Sequence, residues 1–303
     1  MPSKPMTIAI TGGSGHIGCE ITALALELGH GVVSVDRTAP AVARPDVRCI
    51  QVEMSDYDAL IAAFAGCDAL IHLAAIPVPG HHPDHVVHNN NVTGSYNALH
   101  AAIRCGITRI VQASSVNAIG HAFSRVPRYD YFPIDEAHPN HAEDAYSLSK
   151  WICEQQADAF ARLHGGVSIA SLRFHWNKPR QFAHDAYANG WLPLEKHLWA
   201  YVDPKAGARA ALAAVSADLT GHEVFNITAP DTTEDVASRS LAARHFPDVP
   251  IRGDFAGNCS FFDSSKARRM LDWTHHRPSA DANPTKPQTI GQSDLHDRHP
   301  ERE

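Results

Sequence analysis

Short apolar runs alternate with longer amphipathic stretches over the first two thirds of the chain. Thr7–Thr11 (TIAIT), Val32–Val35, Val47–Val52, Ala69–Leu73, Arg109–Ala113 and Val167–Leu172 span four to six residues each and are mostly apolar on both faces, which predicts strands buried on both sides. Between them, Cys19–Leu28, Tyr57–Ala65, Asn91–Arg104 and Ala145–His164 are predicted helices, with Gly29, Gly106 and Gly165-Gly166 standing where they should stop. Strands and helices in this alternation predict a parallel sheet covered on both faces, with right-handed crossovers. After Arg173 the pattern loosens. Arg180–Trp199 has no clean period, Lys205–Ala217 and Ser264–Leu271 read as helices, and Glu223–Ile227 reads as one more strand. The expected organisation is a large α/β unit over 1–173, a smaller substrate-binding subdomain over 174–275 that returns in part to the sheet, and a polar tail, 276–303, expected to be disordered.

Composition narrows the class. A chain of 303 residues with 44% hydrophobic content can bury a large core. The formal net charge of −7 and the lack of a long basic stretch argue against a nucleic-acid partner. No apolar run approaches the roughly 20 residues of a membrane helix, and no signal peptide precedes the first strand, so a cytosolic protein is expected. The six cysteines form no close pair and read as thiols of a reducing compartment. Histidine is abundant, at 21, with a cluster at His81, His82, His85 and His88. Gly80 and Pro83 interrupt that segment, it carries no cysteine, and no metal site is expected there.

The first strand runs into Thr11-Gly12-Gly13-Ser14-Gly15-His16-Ile17-Gly18 and then a helix. Gly12 permits a tight turn, Gly15 lets backbone approach a pyrophosphate, and Gly18 lets the helix pack closely on the sheet. The helix N-terminus, which includes His16 and Ile17, offers free N–H donors and positive dipole to an anion. Asp36 ends the second strand, where a carboxylate accepts hydrogen bonds from an adenosine ribose. This constellation predicts a Rossmann-type doubly wound parallel sheet that binds NAD. A carboxylate at Asp36 repels a 2′-phosphate, whereas the adjacent Arg37 leaves NADP open.

Tyr146-Ser147-Leu148-Ser149-Lys150 opens the long helix and places Tyr146 and Lys150 on one face. A lysine ammonium beside a tyrosine favours the phenolate, so the lysine is expected to lower the tyrosine's pKa and let it exchange a proton with a substrate alcohol. Ser115, at the end of the fifth strand in Ala113-Ser114-Ser115-Val116-Asn117, is placed to orient a substrate oxygen. Ligands of open α/β sheets sit beyond the carboxyl ends of the strands. The substrate is therefore expected between Ser115–Asn117, with Val116, and the segment after the sixth strand, where His175, Trp176 and Arg180 follow. Arg180 is the candidate clamp for a carboxylate or phosphate.

TGGSGHIG, HLAA (His72–Ala75), Asn91, SSVNAIG, YSLSK, Leu172-Arg173-Phe174 and Leu271-Asp272-Trp273 resemble the extended short-chain dehydrogenases, the NAD-dependent epimerase/dehydratase family, over roughly residues 6–273. The resemblance implies Ser115, Tyr146 and Lys150 as catalytic residues. It implies that Asn91 bends the central helix and assists a proton relay, that Leu73, Ala74 and Ala75 line the cofactor, and that Met54 lies near the adenine. The chain departs from the family pattern at Ile119, where tyrosine is usual, and at Ala206, where aspartate is usual. SSVNAIG is similar to a stretch of the uronate dehydrogenases, which oxidise free sugar acids. The leading expectation is an NAD-dependent oxidoreductase acting at a secondary alcohol of a small sugar or sugar-acid substrate. A nucleotide-sugar epimerase or dehydratase with tightly held NAD, and a non-catalytic dinucleotide sensor, are the alternatives. A homodimer is left open.

Overall fold

A computed structural model describes residues 4–41, 44–190 and 195–276. Seven strands form one parallel sheet: β1 (Thr7–Thr11), β2 (Gly31–Asp36), β3 (Arg48–Gln51), β4 (Ala69–His72), β5 (Arg109–Ser115), β6 (Ser168–Phe174) and β7 (Gly221–Ile227). Their order is β3-β2-β1-β4-β5-β6-β7. The order reverses direction next to β1, between β1 and β4, which opens a crevice at the carboxyl ends of the strands. This is the expected Rossmann-type doubly wound sheet.

Helices cover both faces. On one side α1 (His16–Glu27), α6 (Pro204–Ser216) and α8 (Ser265–Leu271) bury Ile21, Ala211 and Leu271 against Ile8, Ile71 and Phe225. On the other, α2 (Tyr57–Phe64), α3 (Asp84–Arg104) and α4 (Ala145–Leu163) bury Phe64, Leu99 and Phe160 against Val33, Leu70 and Ile110. The strands are apolar on both faces because each faces a helix layer on either side. Helix α3 begins well before Asn91: Pro83 supplies its N-cap and Val87 anchors its first turns, while His85 stays exposed. Among the described residues no group of three or more His, Cys, Asp or Glu side chains could hold a metal ion.

A second core lies beyond the sheet. Tyr129, Phe132, Phe255, Phe261, Phe262 and Trp199 pack together with Val116 and Ile119 from the turn after β5. Backbone bridges join Phe132 to Ile251 and Ile134 to Phe262, so the segment before α4 shares this core with residues after β7. The aperiodic stretch after Arg173 contains α5 (Arg180–Ala188) and a 3-10 turn, Glu195–His197, and α7 (Ser238–His245) follows later. The polar tail from 277 onward lies outside the described residues.

Candidate functional site

A cleft of about 640 Å³ runs along the carboxyl ends of the strands. Gly12, Gly15, His16, Ile17, Gly18, Asp36, Arg37 and Met54 line one end, and Leu73, Ala74 and Ala75 line the middle. Ser115, Val116, Asn117, Tyr146, Lys150, His175 and Trp176 line the other end.

The glycine turn is shaped by contacts that exclude side chains. Gly12 has φ +70°, and a Cβ there would lie 2.8 Å from Ala74 N. A Cβ on Gly18 would lie 2.3 Å from the Gly12 carbonyl oxygen. Helix α1 starts after Gly15 with no side-chain cap and no acidic residue in its first turn, which leaves its positive end open to an anion. Asp36 anchors the turn: its carboxylate accepts from Ser14 N at 3.0 Å, and from Thr38 N and Oγ1 at 3.0 and 3.1 Å. A carboxylate has about four acceptor positions, so one stays open toward the cleft for a ribose hydroxyl. The cradle, the open helix end and this acceptor together fit a dinucleotide.

The floor of the cleft is a buried polar link. Thr11 Oγ1 lies 2.7 Å from His72 Nδ1 and also accepts from Leu73 N at 3.2 Å and Ala74 N at 3.4 Å. Burial, and secondarily the Lys150 charge, push His72 down to about 3, so the ring that meets Thr11 is neutral. The backbone of Leu73 and Ala74 is thereby held flush beneath the glycine turn.

At the other end of the cleft, Asp144 caps α4 by accepting from Tyr146 N at 3.0 Å and Ser147 N at 2.9 Å, which fixes where Tyr146 emerges. The Tyr146 ring meets Phe123 edge-on at 5.6 Å. Lys150 Nζ donates to the Ala113 carbonyl at 2.8 Å and lies 5.9 Å from the Tyr146 ring centre. Ser115 Oγ accepts from Asn117 N at 3.1 Å and from Asn117 Nδ2 at 3.3 Å, leaving its own proton to donate. The expected lowering of the tyrosine pKa by the lysine is not what this arrangement produces. Burial dominates and pushes Tyr146 up to about 12, with the Ser115 hydrogen bond opposing it. Burial likewise pulls Lys150 below the usual lysine range.

Two expected residues stand elsewhere. Asn91 does not line the cleft: its amide accepts from Ile76 N at 2.8 Å and donates to Ile76 O at 3.1 Å and to Ser149 Oγ at 3.1 Å. It positions the exit of β4. Arg180 is also absent from the lining, because its guanidinium is paired with Asp231 at 3.3 Å and Asp235 at 2.8 Å. Phe123, Asn177, Lys178 and His197 line the cleft without having been singled out. Asn177 and Lys178 could have been found from their place just after β6, but His197 carries no local signal. At the two departures from the family pattern, Ile119 is buried in the second core, and Ala206 lies under Trp273, whose Nε1 donates to its carbonyl at 2.9 Å.

Sheet order, glycine cradle and terminal carboxylate define a Rossmann-type dinucleotide-binding scaffold. Residues 8–182 match the NAD dependent epimerase/dehydratase family, and the chain belongs to that family. L-arabinose 1-dehydrogenase (NAD(P)(+)) of Haloferax volcanii is 30% identical over 175 residues, which are 56% of this chain and 66% of that protein. Uronate dehydrogenase of Agrobacterium fabrum is 32% identical over 149 residues, which are 46% of this chain and 53% of that protein. The chain thus spans less than two thirds of the length of these curated relatives. In fold it is similar to a short-chain dehydrogenase/reductase superfamily protein from Agrobacterium tumefaciens with bound NAD, at TM-score 0.68 and 20% identity, covering 89% of this chain and 93% of that one. Among the described residues no helix is long and apolar enough to cross a membrane.

Proposed function

We propose that this protein is an NAD-dependent dehydrogenase that works at a secondary alcohol or ketone of a small sugar or sugar acid, with Tyr146 as the acid/base. One observation carries the reading: Ser115, Tyr146 and Lys150 converge at one end of a cleft whose other end is the glycine turn and Asp36. NAD, when bound, supplies the hydride acceptor. Every other element of the chemistry belongs to the chain. The α1 N-terminus and Gly12–Gly18 receive the pyrophosphate, and Asp36 accepts from the adenosine ribose. Ser115, with its oxygen already accepting from Asn117, donates its proton toward the reacting oxygen or the tyrosine oxygen. Tyr146 takes the alcohol proton in oxidation and returns it in reduction. Lys150, tethered to Ala113, places positive charge where the phenolate forms. Asp36 favours NAD, and Arg37, on the same wall, keeps NADP as a second cofactor.

The second reading is an epimerase that holds NAD and returns the hydride, since proteins named as dehydrogenases and as epimerases are both similar to this chain. A panel of neutral sugars, sugar acids and nucleotide sugars, incubated with NAD, separates the two. Accumulating NADH with a free sugar or sugar acid supports the dehydrogenase. Sugar interconversion with no net NADH would establish the epimerase instead. A dinucleotide sensor would show neither, and the convergent Ser115, Tyr146 and Lys150 argue against it.

A further inference from the structure

The charge along the cleft is divided. Among the described residues its two lining carboxylates, Asp36 and Glu53, both stand at the glycine-turn end, with Arg37 beside them. At the catalytic end the lining residues include two lysines, Lys150 and Lys178, and no carboxylate. Lys150 is committed to Ala113 and to the tyrosine. The Lys178 ammonium has no ion pair or hydrogen bond among the described residues, its backbone N–H alone donating, to Trp176 O at 3.0 Å. Its Nζ rests 5.0 Å from the centre of the Phe182 ring. Arg180, two positions on, is neutralised by two aspartates and turned from the cleft. His175 and His197 add no charge, since burial pushes them down to about 3 and about 4.

Asn177 stands beside that lysine and is 8% exposed. Neither its Oδ1 nor its Nδ2 has a hydrogen-bond partner among the described residues. Leaving a buried amide unpaired costs on the order of 1–3 kcal/mol, so such a group calls for a specific partner. The fold goes out of its way to seat it. A Cβ at position 207 would lie 2.6 Å from Asn177 Nδ2, and position 207 is a glycine inside α6. Glycine in a helix interior costs up to about 1 kcal/mol against alanine. The neighbouring wall is strained as well: Leu198 and Trp199, directly after His197, are buried with φ of 51° and 52°. Consecutive left-handed bulky residues persist only where surrounding structure enforces them, and they cluster at ligand sites.

We propose that Lys178 and Asn177 form the substrate-recognition wall and that the substrate is a small polyhydroxylated acid, its carboxylate held by Lys178 and an adjacent oxygen by the Asn177 amide. The assignment rests on the catalytic reading above and replaces Arg180 as the anion clamp. Lys178 is a compact cation on a flexible stem, suited to a carboxylate that must approach and leave, whereas Asn177 offers one donor group and one acceptor in a fixed orientation.

The test is a binding measurement that does not depend on turnover. Galacturonate and galactose, which differ only in the carboxylate, are titrated calorimetrically onto the NADH-saturated protein, where no alcohol can be oxidised. The wild type should bind the acid at least about tenfold more tightly than the neutral sugar, the scale of one charge-assisted contact. Lys178→Gln should remove that preference without changing NADH affinity, and Lys178→Arg should restore most of it. No preference in the wild type, or a preference that survives Lys178→Gln, overturns the proposal. Turnover of sugars with no preference for acids would overturn Lys178 as the clamp and leave the dehydrogenase reading standing. Acid preference carried by Lys178 without any NADH production would do the reverse.

Discussion

A tyrosine buried as Tyr146 is, with its phenol pushed up to about 12, is protonated at neutral pH. Below its pKa the phenolate fraction rises tenfold per pH unit, so alcohol oxidation should climb with pH into the alkaline range. Replacing Lys150 by methionine removes the ammonium tethered to Ala113 and should lower kcat by about 10-fold or more while leaving the limb nearly in place, as seen in initial rates against pH, because burial sets the phenol's position. Tyr146→Phe should abolish the limb and lower kcat by about 100-fold or more with NAD affinity unchanged; near-normal turnover would remove Tyr146 from the mechanism. Asp36→Ala removes the ribose acceptor and also releases Ser14 and Thr38. It should weaken both cofactors, NAD more than NADP, in parallel titrations of the two. The meeting of these residues in one cleft was legible because they stand at strand ends and helix starts. Lys178 and Arg180 were not separable that way. They stand two positions apart, yet one lines the cleft and the other is claimed by Asp235, 55 positions along the chain. Similarly, Asn91 was legible as special, but its bond to Ile76 depends on how β4 leaves the sheet.

Helix α4 carries Tyr146 and Lys150, and a buried ion pair holds it in register. Glu154, one turn beyond Lys150, accepts from Arg173 Nε and Nη2 at 2.8 Å each and from Ser114 Oγ at 2.5 Å. That one carboxylate ties α4 to β5 beside Ser115 and to β6 before His175. Glu154→Gln leaves the Arg173 cation buried and under-compensated, and breaking such a pair costs about 3–5 kcal/mol. Denaturant unfolding should show the loss as a lower midpoint with unchanged slope, and an unchanged midpoint would mean that the pair is dispensable. Most elements were readable from apolar periodicity, because both helix layers lie on a sheet that is itself apolar on both faces. Helices α5 and α7 escaped it. In α7 only Ser238, Leu241 and Ala242 are buried, too narrow a stripe for a period to show over eight residues. The early start of α3 escaped it too, since its first seven residues bury Val87 alone.

The molecule as a whole keeps a set of histidines neutral in its interior. Burial lowers His72 and His175 to about 3, and His197 and His275 to about 4. Each is depressed below the unfolded value of about 6.5, so its contribution to stability is fully present above that pH. The contribution is lost as pH falls from about 6.5 toward the folded values, because the unfolded chain takes up the protons first. Unfolding near pH 5 should therefore absorb about four protons from these rings, each steepening the pH dependence by about 1.4 kcal/mol per unit. Melting curves from neutral to acidic pH, with calorimetry in buffers of different ionisation enthalpy, read both quantities; a melting temperature flat down to pH 5 would refute the account. The abundance of histidine was plain in the sequence, but which rings are enclosed is a tertiary fact. The same distinction separates the two halves of the cleft. Strands β1, β2 and β4 build the half that receives the dinucleotide, whereas Lys178 and His197 lie on a stretch of chain whose two ends meet. Trp176 O accepts from Val202 N at 3.1 Å, and Asn177 bridges in parallel to Val202. Substrate choice should therefore be transplantable: residues 177–201 exchanged for the corresponding stretch of a related dehydrogenase move Asn177, Lys178 and His197 together, and cofactor choice should stay with the recipient.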